Sequence, residues 1–185
     1  MQLSRGAITR VALDILDEYG LADVSMRRIA TVLGVAPGAL YWHIQNKQEL
    51  ISNLAALVIA PLVDAPPAEP AEVCARLRAA LLAHRDGAEV VIAAVSQPDS
   101  PVGAQLGAVM LGALGAESEG ASKSDRLAAV EGLMYMTLGA AYVHQSTAQL
   151  AQATGGAAAE RAPGDARAVN RAIGFLLAGL GPGVE

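Results

Sequence analysis

Tyr41, Trp42 and His43 stand in a row, four residues ahead of Lys47 at the end of the run. Three adjacent residues cannot all face inward on a 3.6-residue period, so at least one large ring with a polar tip is exposed. Tyrosine and histidine can donate to phosphate oxygens, as can a lysine ammonium and the amides opening a following helix. The chemistry these types suggest is the holding of a polyanion. Other constellations are thinner. His43, His84 and His144 lie far apart, without a His-x-x-x-His or His-Glu-x-x-His spacing. Neither a phosphate-binding glycine loop nor a Gly-x-Ser-x-Gly turn occurs. His84-Arg85-Asp86 has the order of a kinase triplet but none of its companion motifs, and reads as a helix C-terminus with local salt bridges. The single Cys74 excludes a disulfide framework within the chain and a multi-cysteine zinc site; it reads as a small hydrophobe in a buried helix. The expectation is no catalytic residue, no metal, no cofactor and no enzyme.

The elements that position these residues follow from composition and period. Of the 185 residues, 53 % are hydrophobic, 17 % charged and 3 % aromatic. Such a chain is not disordered, and its core must be built from Ala, Leu, Val and Ile, a bias that favours helices over strands. Residues 4–20 carry Ile8, Ala12, Ile15, Leu16 and Tyr19 on one face, with Ser4 as N-cap and Gly20 as stop. A second helix runs from Ser25 to Leu33 and ends at Gly34. A third, with Pro37 at its first position, reads to about Ile44. Asn46 and Glu49 form a capping box that starts a fourth helix, expected to stop at Pro61. Pro66, Pro67 and Pro70 mark a connector. Helices are expected over 71–84, with Val73, Leu77, Leu81 and His84 on one face, over 89–95, a short apolar run for which a strand is the alternative, and over 102–114 and 123–152. A linker over 152–164 and a final helix over 165–180 follow, the helix with a stripe of Val169, Ala172, Ile173, Leu176, Leu177 and Leu180.

Three short helices in the first 45 residues, with a glycine turn between the second and third, describe a helix-turn-helix. Ala30 is small where the helices cross, Gly34 takes the turn, and Val35 and Leu40 plug the space above Ile29 and Leu33. The third helix can then lie in a DNA major groove. A purely structural helical hairpin has the same pattern. Residues 1–50 hold five bases (Arg5, Arg10, Arg27, Arg28, Lys47) and five acids, net 0; residues 51–185 hold eight bases and thirteen acids, net −5. The N-terminal segment is thus relieved of the chain's acidity, which permits local DNA contact.

The mean hydropathy of +0.37 is high. No stretch offers about 20 consecutive apolar residues, and no signal-peptide run follows the first ten. The reading is a cytoplasmic protein, not a membrane one, whose excess apolar surface is buried in a partner subunit.

Residues 4–55, including SMRRIATVLGVAPGALYWHIQNKQELI, resemble the DNA-binding domain of the TetR (tetracycline repressor) family, the LYWH-x-x-NK-x-x-L run being the specific part. LRAALLAHRDGAEVV (77–91), TLGAAY (137–142) and FLLAGL (175–180) resemble the family's regulatory domain, with the weakest likeness from 96 to 122. The resemblance implies an all-α protein. A three-helix helix-turn-helix domain over 1–47 precedes a helical effector-binding and dimerisation domain over 48–185. It implies a homodimeric transcriptional regulator, a repressor, that binds a palindromic operator in double-stranded DNA and is released by a small molecule. Carried onto this sequence, Arg27 approaches a base or the backbone. Pro37, Gly38 and Ala39 face the groove, and Tyr41, Trp42, His43 and Lys47 hold phosphates and set register. Pro37, Gly38 and Ala39 bring no side-chain donors, so specificity leans on Arg27, on Tyr41 or Trp42, and on DNA shape. The competing reading, supported by that donor-poor triplet and the net-zero segment, is a dimeric ligand-binding module with little specific DNA affinity.

Tetracycline-binding members hold a magnesium–drug complex. With no gap up to about residue 95, five of their pocket positions, two histidines, an asparagine, a phenylalanine and a threonine, fall on Val63, Val73, Leu77, Val91 and Ala94. Magnesium needs oxygen ligands and waters, so the resemblance here implies an apolar effector instead. Its lining is expected from those five with Leu81, Met110, Met134 and Leu138, and Gln105, Tyr135 and His144 are candidates for polar contacts. Taken singly, each apolar member reads as core rather than lining, and the expectation of a pocket rests on the set and on the resemblance. Helices 123–150 and 165–180 carry apolar stripes wide enough to form a four-helix bundle between two subunits, or within one.

Overall fold

Small polar caps and glycines set the helix boundaries in the computed structural model, which describes residues 3–115, 120–155 and 165–180. Helix α1 spans Arg5–Tyr19; Ser4 accepts from the Ala7 amide at 3.2 Å, and Gly20 closes the helix at φ 91°. A 3-10 turn (Leu21–Asp23) leads to α2, Met26–Leu33, capped by Ser25 at the Arg28 amide. Gly34 ends α2 in the left-handed region, φ 67°. Helix α3 is only Pro37–Leu40. Beyond Leu40 the chain turns rather than continuing as regular helix to Ile44: the His43 and Ile44 amides both bond the Leu40 carbonyl at 2.9 Å. The turn lets Leu40 and Ile44 both reach the core while Tyr41 and Trp42 stay outside.

Helix α4, Lys47–Asp64, is the longest element of the N-terminal third and passes through Pro61 instead of stopping there. Proline forfeits one backbone hydrogen bond, to the carbonyl four residues back. Pro61 and Leu57 are both exposed, so water can serve the freed carbonyl. Helices α5 (Pro70–Leu82), α6 (Gly87–Val95), α7 (Pro101–Leu114), α8 (Lys123–Thr154) and α9 (Ala166–Ala178) follow. The ambiguous apolar segment at 89–95 is helical, and α8 extends two residues beyond its expected end. From 156 to 164 the expected linker lies outside the described residues. Among the described residues every regular element is helical.

α1 packs on α2 and on the N-terminal half of α4, while α4 also packs on α5, α6 and α7. One helix therefore joins the small N-terminal unit to the larger helical body. The buried apolar residues form a continuous core, from Ile8, Leu16, Ile29 and Leu40 through Leu50, Leu54 and Ile59 to Leu77, Leu106 and Leu133. Among the described residues no helix is long and apolar enough to cross a membrane.

Candidate nucleic-acid interface

Trp42 is 90 % exposed, the most exposed large apolar side chain among the described residues, and its neighbour Tyr41 is 51 % exposed. None of the described residues covers the indole, although its burial would remove far more apolar surface from water than that of an aliphatic residue. Pro37, Gly38 and Lys47 are also exposed, Ala39 and His43 half-buried. A Cβ on Gly38 would meet no atom within 4 Å, so the face over α3 is bare. Arg27 is exposed on α2, against which α3 packs. Arg28 is committed elsewhere: it pairs with Asp23 and lies 3.9 Å over the Tyr19 ring. Glu18, bonded to the Tyr19 hydroxyl and negatively charged beside it, pushes that phenol's pKa up.

Three of the five carboxylates that cancel the bases of the first 50 residues sit apart from this stretch. Asp14, Asp17 and Glu18 share one face of the C-terminal half of α1. Twelve residues of helix separate Arg5 from Asp17, about 18 Å at 1.5 Å per residue. Asp17 faces the other unit: its carboxylate lies 3.0 Å from His84 Nδ1 and accepts from the Arg85 amide. The Arg85 guanidinium donates to the Glu18 carbonyl. Net neutrality is therefore a sum over segregated ends. Glu49, the acid beside Lys47, is itself paired with Arg5 at 3.1 Å.

Several functional side chains carried no signal in the periodic pattern. Arg5 bridges α1 to the turn after α3 and to α4. The expected capping box is half-formed: Asn46 accepts from the Glu49 amide at 2.8 Å, but Glu49 accepts from Gln45, not Asn46. His84, read onto the apolar face of a helix to residue 84, lies beyond α5 and pairs with Asp17. Asp86, at φ 55°, accepts from the Leu21 amide at 2.8 Å with one oxygen and from Gln149 with the other. Gln145 of α8 donates to the Leu81 and His84 carbonyls and accepts from the Ala88 amide. The loop between α5 and α6 is thus tied both to the end of α1 and to α8.

Of the expected effector lining, Val73, Leu77, Leu81, Val91, Ala94, Met110, Met134 and Leu138 lie together in the core, with Val63 half-buried at its edge. The polar candidates are not brought to that set. Tyr135 is 57 % exposed and Gln105 is exposed, because each falls one helical step, 100°, from a buried neighbour (Met134, Leu106). His144 is half-buried, with its Nδ1 buried and unbonded, beside an open groove of about 360 Å³ shared with Leu82, Arg85 and Gln149.

A family model described as bacterial regulatory proteins, tetR family, matches residues 8–54, the stretch that holds α3 and its exposed rings. The tetracycline repressor protein class A from transposon 1721 of Escherichia coli is 34 % identical over 174 residues, 88 % of this chain and 76 % of that protein. This chain belongs to the tetR family of bacterial regulatory proteins. As a tetR-family member it also resembles Mycobacterium smegmatis BioQ, at 35 % identity and a TM-score of 0.83, covering 98 % of this chain and all of that one. BioQ bound to its natural double-stranded DNA operator superposes with a TM-score of 0.79 at 34 % identity, over 97 % of this chain and 98 % of that one. The likeness to BioQ thus reaches well beyond the helix-turn-helix segment that the family model matches.

Proposed function

We propose that this chain is a DNA-binding transcriptional regulator, a repressor acting as a homodimer on a palindromic operator and released by a small, mainly apolar effector. The N-terminal unit to residue 47 holds DNA, and the body from residue 48 binds effector and pairs with a second subunit. The observation that carries this reading is the uncovered Tyr41-Trp42 pair between bare Pro37-Gly38 and exposed Lys47, with the acids of α1 drawn to its far end. Arg27, Tyr41, Trp42, His43 and Lys47 supply the contacts, and Ala39 offers a methyl to thymine. Close comparison with BioQ on its operator supports the same use of the fold.

Val63, Val73, Leu77, Val91 and Ala94 present no oxygen donor, so they do not fit a magnesium–drug complex. They fit an apolar molecule that competes with core packing among α5, α6, α7 and α8. The chain has no role as an enzyme in this reading. Among the described residues, no three of His, Cys, Asp or Glu cluster in a way that could hold a metal ion.

The decisive experiment is selection of bound sites from a random double-stranded DNA library with the purified protein. Enrichment of an inverted repeat is expected, and its spacing gives the separation of the two heads. Failure of a folded dimer to enrich any sequence would instead favour the ligand-binding module, the reading to which the donor-poor Pro37-Gly38-Ala39 triplet points.

A further inference from the structure

We propose that Arg5 is a positioning residue for the DNA-holding face, acting through Glu49 rather than by touching DNA; this rests on the DNA-binding reading above. Arg5 opens α1, yet its guanidinium works on residues 38 and 44 positions away. Nε donates to the His43 carbonyl at 3.2 Å, and Nη2 lies 3.1 Å from Glu49 Oε1. The other Glu49 oxygen accepts from the Gln45 amide at 2.7 Å, and the Glu49 amide is held by Asn46. The short connection from Trp42 to Lys47 is therefore gripped at His43, Gln45 and Asn46, and two of those three holds run through the Arg5–Glu49 pair. Both flanks of the connection carry the exposed groups assigned to phosphates.

The pair does little for folding by itself. Arg5 is 64 % exposed and Glu49 26 %, and such surface pairs add little to stability. Its geometric effect is larger: it joins the start of α1 to the start of α4 and fixes the backbone between Trp42 and Lys47. It also neutralises a carboxylate that would otherwise stand bare two residues from Lys47. A fork is required, because one cation must meet a carbonyl and a carboxylate at fixed angles, which a lysine ammonium does not reproduce.

The test is the affinity of the full chain for its selected inverted repeat, measured against salt, for wild type, Arg5→Ala, Arg5→Lys, Glu49→Gln and Lys47→Ala. Arg5→Ala and Glu49→Gln should each weaken binding about tenfold, with the double variant no weaker than either. Arg5→Lys should not restore affinity. The salt slope of Arg5→Ala should equal wild type, whereas Lys47→Ala should lower it by about one per subunit. Glu49→Gln decides by sign: a simple charge effect makes loss of an acid near phosphate tighten binding, while positioning makes it weaken. Tighter binding by Glu49→Gln, a reduced slope for Arg5→Ala, or unchanged affinity of Arg5→Ala would each overturn the proposal while leaving the DNA reading intact. Absence of any binding by wild type would overturn both. Thermal unfolding of Arg5→Ala close to wild type is expected and separates the effect from misfolding.

Discussion

At the scale of single residues, exposure and pairing separate the basic side chains into two kinds. Lys47 is exposed at the first turn of α4, Arg27 is exposed on α2, and Arg28 is bound to Asp23 and Tyr19. Lys47→Ala should weaken binding to all DNA sequences about equally, several-fold at moderate salt. Arg27→Ala should cost roughly 1–3 kcal/mol and relax preference at one position per half-site, as read by affinity against a panel of operator variants. The five aliphatic pocket positions lead to a different outcome: magnesium and tetracycline together should leave the operator complex intact in a release assay, because no oxygen donor replaces the ion's hydration shell. Cys74 is buried on α5, and burial pushes its thiol pKa up, only partly offset by a hydrogen bond with Thr137. The folded thiol keeps its proton at a pH where the unfolded chain has lost it. Its contribution to stability is present in full below the ordinary thiol range and falls as pH rises through the folded pKa. Cys74 should resist a thiol reagent at neutral pH until denaturant is added, and Cys74→Ala should flatten the alkaline loss of stability.

At the scale of elements, two glycines that look alike in sequence differ in what holds them. Gly34 ends α2 at φ 67° in open space, so Gly34→Ala should cost about 1 kcal/mol of backbone strain and no clash. A Cβ on Gly87 would stand 2.3 Å from the Leu81 carbonyl oxygen, a backbone atom that Gln145 also holds. Gly87→Ala should cost about 3 kcal/mol and disturb the loop that Asp86 ties to Leu21; thermal unfolding of the two variants compares them directly. The same contrast explains what the sequence could disclose. Helix starts were legible because Ser4, Ser25 and Asn46 act within three residues of themselves. The exposed rings were legible because three neighbours cannot share one buried face. α4 continues through Pro61, where the sequence predicts a stop, since a proline on a solvent face interrupts little, and α3 is shorter than its pattern predicts because Leu40 and Ile44 need a turn to reach the core together. Arg5–Glu49, Asp86–Leu21 and Gln145–His84 were illegible: each joins residues 44 to 65 positions apart, and no period in the chain encodes them.

At the scale of the whole molecule, the apolar excess has a visible outlet. Along α8, Ala128, Tyr135, Gly139, Tyr142 and Leu150 follow helical spacing and are exposed, and Phe175 of α9 is 73 % exposed. An open groove of about 440 Å³ runs between the two helices, lined by Ala128, Ala129, Phe175 and Leu176. Leu177, which the sequence places on the α9 stripe with Ile173 and Leu180, is half-buried against its own subunit's core. Leu176 presses so closely on Gly132 that a Cβ there would lie 2.8 Å from it. Substituting Leu177 would therefore mix loss of folding with loss of association, whereas Phe175 and Tyr135 can be changed without opening the subunit. A second copy laying its own α8 and α9 on this face would bury both rings in a four-helix bundle. Phe175→Arg combined with Tyr135→Arg would then place unpaired charges in an apolar contact, at a cost of several kcal/mol. Sedimentation should show the wild type as a dimer and the double variant as a monomer, weaker in self-association by about a thousandfold or more, with helical content unchanged. Operator affinity should fall with it, since a monomer engages one half-site and loses the gain from linking two. A double variant that sediments as wild type would move the dimer contact off α8 and α9 and leave the exposed rings without a partner.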